Sequence, residues 1–68
     1  MDNPLTAREL DVVRQIVKGK TYKEIAVSLN LGYETVKTYA ARIRKKLGFN
    51  SKVLVALWAQ EKGIVTDD

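Results

Sequence analysis

The 68-residue sequence contains no cysteine and no histidine. Without cysteine the chain has no disulfide framework, and without either residue it lacks the usual zinc ligands, so apolar packing and helix caps have to stabilise it. The residue patterns of acid–base and nucleophilic catalysis are missing too, since there is no glycine-rich phosphate loop and no carboxylate pair in an apolar setting. We therefore expect no metal, no other cofactor and no enzymatic activity.

Long apolar runs are also absent. No segment approaches the roughly 18 apolar residues that span a bilayer, and the start, MDNPLTARE, has neither the basic residues nor the apolar stretch of a signal peptide. These absences favour a cytoplasmic protein. With 46% hydrophobic and 29% charged residues, the composition is that of a globular domain. The length predicts a single domain over residues 1–68, with an ordered core at about residues 5–65.

Positive charge is concentrated in the middle of the chain. The net charge is +4, but residues 18–52 contain nine basic and two acidic residues, a local charge of +7. A concentrated positive field favours a polyanionic partner, either nucleic acid or an anionic membrane surface. Charge alone does not choose between them.

Two capping boxes predict the starts of two helices. In TARE, Thr6 and Glu9 can each bond to the backbone amide of the other, and TYKE repeats the pattern with Thr21 and Glu24. The first helix is expected to run about three turns to a glycine stop, and the second is expected to end near Asn30. Their predicted core-facing residues are Val12, Val13, Ile16, Val17, Ile25, Ala26 and Leu29.

A tight glycine turn, Asn-Leu-Gly at 30–32, leads into the third predicted helix, YETVKTYAARIRKKLG. At about 100° per residue, this helix has one narrow apolar stripe. The stripe consists of Val36, Ala40, Ile43 and Leu47. A short helix, a tight turn and a longer helix form a helix-turn-helix unit, in which the two helices cross steeply.

The remaining segment predicts a fourth helix. Gly48 ends the third helix, and Ser51 caps the fourth, which is expected from about Lys52 to Lys62. Ile64 and Val65 are then expected to return to the core. No stretch has a credible strand pattern, so the predicted fold class is all-α with four helices.

The face of the third helix opposite its apolar stripe has the layout of a DNA-reading surface. Reading the major groove needs short polar or small side chains at base edges and cations beside them to hold phosphates. Thr38 and Ala41 are small enough to let the backbone approach the groove. Lys37 can reach a guanine edge, and Glu34 can accept from cytosine N4. Flanking residues predicted to contact phosphates are Thr35, Tyr39, Arg42, Arg44, Lys45 and Lys46.

A basic helix face can also be nothing more than solvated surface. Three features favour binding instead: the turn geometry, the small and polar stripe, and the local concentration of charge. For Glu34 the alternative is a favourable interaction with the positive end of the helix dipole.

Several motifs together resemble the LuxR-type helix-turn-helix domain of LuxR, NarL/FixJ and GerE regulators. They are LTARE, the glycine at 19, YKEIA, TVKTY, KKLGF and the closing GIV, and they cover residues 5–65. The resemblance implies bacterial transcription control, a tetrahelical fold, and binding as a dimer with the third helix in the major groove. By position it implies base contacts from Lys37, Thr38 and Ala41. The phosphate contacts that it implies are Tyr22, Lys23, Thr35, Arg42 and Lys45.

The chain departs from the usual family residues at four positions. Members usually have asparagine in place of Tyr22, serine in place of Gly32, histidine in place of Tyr39 and glutamate in place of Leu54. Glycine at an N-cap costs only a few tenths of a kcal/mol relative to serine. The two tyrosines bear on which phosphate contacts this chain keeps.

The fourth predicted helix is apolar over most of its circumference. Val55, Ala56 and Ala59 suit the core. The other apolar residues form a candidate dimer patch: Val53, Leu54, Leu57 and Trp58. Alternatively, Trp58 folds over the edge of its own core. The resemblance also implies dimer formation on this helix, and so small an interface is weak without DNA.

These observations favour a sequence-specific double-stranded DNA-binding domain of a bacterial transcription regulator, acting as a weak dimer and without a small-molecule ligand. One alternative is a truncated regulator that pairs through its fourth helix with a full-length relative. A membrane-surface domain is a further alternative, which the narrow core stripe of the third helix disfavours.

Overall fold

The computed structural model describes residues 4–64, and within them it contains four helices and no strand. The helices are α1 (Ala7–Val17), α2 (Tyr22–Leu29), α3 (Tyr33–Leu47) and α4 (Lys52–Glu61). The predicted all-α fold is confirmed. None of the described helices combines the length and apolar character needed to cross a bilayer. Val65, which was expected in the core, lies outside the described residues.

Both predicted capping boxes form. The Thr6 hydroxyl accepts from the Glu9 amide at 3.1 Å, and the Glu9 carboxylate accepts from the Thr6 amide at 2.8 Å. Thr21 and Glu24 make the same pair of bonds at 3.2 and 2.8 Å. Each box satisfies amides that have no partner within the helix, so the starts of α1 and α2 are set locally.

The turn between α2 and α3 depends on a left-handed residue. Asn30 has φ 57°, a conformation that asparagine tolerates better than most side chains. The Leu31 amide then donates to the Ala26 carbonyl at 2.9 Å, which closes the end of α2. Gly32 is the N-cap residue of α3, which therefore starts without a side-chain cap. This turn brings α3 against α2 as a helix-turn-helix unit.

All four helices contribute to one core. Its buried apolar side chains are Leu5, Val12, Val13, Ile16, Ile25, Ala26, Val36, Ala40, Ile43, Val55 and Ala59. Leu47, the last residue of the predicted α3 stripe, is half-buried and packs against this cluster. The apolar stripe of α3 therefore faces inward, and the opposite side of α3 faces solvent.

An ion pair between a buried carboxylate and a partly exposed lysine joins the start of α1 to the end of α3. Glu9 is only 2% exposed, and its carboxylate accepts from the Lys46 ammonium at 2.8 Å as well as from the Thr6 amide. Burial by itself raises the pKa of the Glu9 carboxyl. The hydrogen bonds from Lys46 and Thr6 and the charge of Lys46 outweigh burial, so the pKa lies below its ordinary value of 4.5.

Replacing Lys46 with methionine should lower the free energy of unfolding by about 1–2 kcal/mol at neutral pH, because a buried carboxylate loses a charge-assisted hydrogen bond. Urea denaturation followed by circular dichroism measures this loss. In the unmodified chain the contribution of Glu9 is fully present above about pH 4.5. It should disappear as the pH falls through the lowered pKa, since the protonated carboxyl gives up the ion pair.

Lys45→Met is the matched control, because it removes the same charge from the neighbouring exposed position. It should change the unfolding free energy by less than about 0.5 kcal/mol. Equal losses in the two variants would show that the pair with Glu9 does not stabilise the fold.

Candidate nucleic-acid interface

One exposed strip runs along the outer side of α3. It consists of Glu34, Lys37, Thr38 and Ala41, all exposed. Residues three, four and seven apart lie on the same side of a helix, so these four side chains are neighbours. The structure thus places the four predicted base-reading residues together, on the side away from the core.

Contacts within the exposed strip restrict what each side chain can offer. The Thr38 hydroxyl donates to the Glu34 carbonyl at 3.0 Å, so its proton is already used. The methyl group and lone pairs of Thr38 remain. The Lys37 ammonium lies 3.8 Å from the Glu34 carboxylate, with the two side chains 48% and 84% exposed. The strip therefore presents a cation, a carboxylate, an acceptor and two methyl groups.

Tyr33, the first residue of α3, lies beside this strip with 41% of its surface exposed. The Lys37 ammonium is 5.2 Å from the centre of its ring, and that of Lys23 on α2 is 6.0 Å away. Tyr33 is not among the residues predicted from the sequence. Because Tyr33 lies four residues before Lys37 on the same helix, their contact could have been predicted from the sequence. The contact with Lys23 depends on how α2 crosses α3.

Exposed polar residues flank the strip. Arg42 and Lys45 are exposed, and neither is tied to a side-chain partner within the part of the chain that the structure describes. The Thr35 hydroxyl oxygen lies over the start of α3, 3.7 Å from where a side chain on residue 32 would begin. Tyr39 is half-buried and packs on the core.

A second cationic group joins α2, α3 and α4. The Arg44 guanidinium donates to the Tyr22 hydroxyl at 3.1 Å, and the Lys52 ammonium lies 4.8 Å from the centre of the Tyr22 ring. Lys52 also donates to the backbone carbonyl of Lys20 at 3.3 Å. Two predicted phosphate-contacting residues, Tyr22 and Arg44, are thus in direct contact. Lys52 is a third member of this group, which the sequence does not predict.

Lys46, which the sequence predicts to contact a phosphate, also has a partner within the fold. Its ammonium is held by the buried Glu9 carboxylate, a residue 37 positions away in sequence. The Lys46 side chain is 37% exposed, and its ammonium has two further donors that a phosphate oxygen can accept from. Lys46 therefore has a structural contact within the fold, and its phosphate contact stays a prediction.

The candidate dimer patch on α4 has three exposed residues and one half-buried residue. Val53, Leu54 and Leu57 are 66%, 40% and 51% exposed. Trp58 is half-buried and packs against the core, as in the alternative interpretation of the sequence. The exposed part of the patch is thus aliphatic, with the indole at its edge.

Comparison with known proteins identifies the family. The model described as "Bacterial regulatory proteins, luxR family" matches residues 3–59. The uncharacterized transcriptional regulatory protein YvfU of Bacillus subtilis is 40% identical over 62 residues, which is 91% of this chain and 31% of YvfU. The uncharacterized response regulatory protein YgeK of Escherichia coli is 42% identical over 65 residues, 96% of this chain and 44% of YgeK.

A third relative is the nitrate/nitrite response regulator NarP of Escherichia coli, 38% identical over 60 residues, 87% of this chain and 28% of NarP. This chain spans less than half the length of these curated relatives. The family match includes α1, the helix-turn-helix unit and most of α4, and it confirms the resemblance found in the sequence. The chain belongs to the LuxR family of bacterial regulatory proteins.

Proposed function

We propose that this domain binds double-stranded DNA sequence-specifically, with α3 in the major groove and the exposed strip against base edges. The observation that carries this proposal is the opposition of the two sides of α3. Val36, Ala40 and Ile43 are at most 2% exposed, whereas the four residues of the strip face solvent. A helix held in this way can enter a groove without losing its core contacts.

Each member of the strip has a distinct part in the proposed base contacts. Lys37 donates to the O6 and N7 acceptors of guanine, and Ala41 lets the backbone approach. Because its proton is engaged by the Glu34 carbonyl, Thr38 accepts from an adenine or cytosine amino group or packs its methyl group on thymine. Glu34 accepts from cytosine N4.

Phosphate contacts position the helix in this proposal. They come from Thr35, Tyr39, Arg42, Arg44, Lys45 and Lys46 on α3, and from Tyr22 and Lys23 at the start of α2. Exposure supports Thr35, Arg42, Lys45 and Lys23, and the pairing of Tyr22 with Arg44 supports a joint contact. A guanidinium that spends one donor on a tyrosine hydroxyl still has others for a phosphate oxygen.

The proposed biological role is to bring a bacterial transcription regulator to its operator in the cytoplasm. Family membership supports this role, and so do the names of the relatives, which are called transcriptional or response regulators. The role is one of binding and not of catalysis.

Lys37→Ala should weaken binding to the preferred sequence by about 1–3 kcal/mol and relax the preference at one base pair, because a base-edge contact is lost. Arg42→Ala should weaken binding to all sequences similarly and reduce the salt slope by about 1, because a phosphate contact is lost. Fluorescence anisotropy at several salt concentrations measures both. The probes are a duplex selected from random sequences and its scrambled counterpart.

Lys62→Ala is the charge control for this pair, because it removes a positive charge from the exposed end of α4, outside the proposed interface. Its effect on either duplex should be small. If Lys37→Ala and Arg42→Ala each cost the same on the selected and the scrambled duplex, the division into base and phosphate contacts is wrong.

Two copies are proposed to meet through Val53, Leu54 and Leu57 of α4 on half-sites about one helical turn apart. These residues are exposed, and Leu57 lies three positions from Leu54 and four from Val53, so the three share one side of the helix. Such a small aliphatic surface does not hold a dimer on its own. DNA supplies the local concentration that makes the contact effective.

Replacing Leu54 and Leu57 with glutamate should weaken binding to a duplex with two half-sites by about tenfold or more, because two like-charged patches then face each other. Mobility shift on this duplex measures the loss. Binding of the same variant to a single half-site is the internal control and should stay unchanged. An unchanged apparent affinity on the two-site duplex would contradict the α4 interface.

A further inference from the structure

We propose that Tyr33 is a positioning residue that holds Lys37 in place for its base contact, an inference that rests on the proposed function. The ring lies where α2 and α3 come together, next to the exposed strip. It has a lysine ammonium near it from each helix, Lys23 at 6.0 Å and Lys37 at 5.2 Å. Neither lysine is buried, so the ring is a feature of the surface and not of the core.

The direction of helical side chains favours the contact between Tyr33 and Lys37. Side chains on a helix lean toward its N-terminus, so the stem of Lys37 runs back over the preceding turn, where residue 33 lies. An ammonium within about 6 Å of a tyrosine ring centre is attracted to the negative face of the ring. The contact thus restricts a side chain with four rotatable bonds before DNA arrives.

The Lys37 ammonium has two neighbours, and they behave differently near DNA. The Glu34 carboxylate, at 3.8 Å, carries a charge that the phosphates repel and that competes with them for the ammonium. The Tyr33 ring is neutral and adds no such repulsion. Restricting Lys37 beforehand lowers the rotamer entropy lost on binding. The ring therefore holds Lys37 in the conformation proposed for binding and does not repel the DNA phosphates.

Tyr33 lies near Lys23 as well as Lys37. It is therefore close both to the base contact proposed for Lys37 and to the phosphate contact proposed for Lys23. One ring lies near both ammonium groups even though the two lysines belong to different helices. Lys23 is at the outer limit of an effective cation–ring distance. The main effect of Tyr33 therefore falls on Lys37.

The test compares Tyr33→Leu, which removes the ring, with Tyr33→Phe, which removes only the hydroxyl. Tyr33→Leu should weaken binding to the selected duplex about 2- to 5-fold and leave binding to the scrambled duplex unchanged. Tyr33→Phe should bind as the unmodified chain does. In a Lys37→Ala background, Tyr33→Leu should have no further effect, because there is no ammonium left to position. Fluorescence anisotropy compares the unmodified chain with the three single variants and the double variant.

Two results would overturn the inference. A loss in Tyr33→Phe equal to that in Tyr33→Leu would mean that the hydroxyl, and not the ring, makes the contact. A loss from Tyr33→Leu that persists in the Lys37→Ala background would mean that Tyr33 acts without Lys37.

A measurement on the free domain tests the contact without DNA. The ring should shift the Lys37 Cε protons upfield in the proton NMR spectrum, in the unmodified chain and in Tyr33→Phe but not in Tyr33→Leu. Absence of this shift in the unmodified chain would contradict the inference.

A domain that binds selected and scrambled duplexes equally overturns the proposed function. A domain that prefers the selected duplex without coupling between positions 33 and 37 overturns only this inference.

Discussion

Burial of the apolar stripe of α3 is the constraint on which the rest of the molecule depends. Val36, Ala40 and Ile43 insert into a core made by all four helices, and this fixes the rotation of α3 about its own axis. A rotation by one residue, about 100°, would bury Lys37 and expose Val36. The cost of burying an unpaired ammonium excludes that arrangement. The identity of the residues that face solvent is thus a consequence of the core.

Polar contacts near the end of α3, and the turn that precedes its start, add to this constraint. Near its end, the ion pair between Lys46 and the buried Glu9 carboxylate attaches α3 to α1, and the bond from Arg44 to Tyr22 attaches it to α2. At its start, the left-handed Asn30 and the Gly32 cap direct the chain from α2 into α3. The first turn of α3 has no side-chain cap, and amides at the start of a helix are groups that can bind an anion such as phosphate. The flanking cations are therefore carried by a helix that is held along most of its length.

The sequence predicts the helices well because their boundaries are set locally. The capping boxes at Thr6 and Thr21 act over three residues, and the apolar repeat of α3 needs only the helical period. Contacts between distant segments are not predictable in this way. In the sequence, Lys46 cannot be told apart from the other surface lysines. Its partner Glu9 is 37 positions away and reaches it only in the folded chain. In the same way, Trp58 is placed against the edge of the core only once α4 packs, and Lys23 meets Tyr33 only through the crossing of two helices.

The most direct test of the central claim is a map of backbone amide chemical shifts as a selected operator duplex is added to the labelled domain. The largest changes are expected at Lys37, Thr38 and Ala41, with small changes at the core residues Val12 and Val13. An operator that binds while leaving the three α3 positions undisturbed would contradict the claim that the solvent side of α3 is the DNA-reading surface.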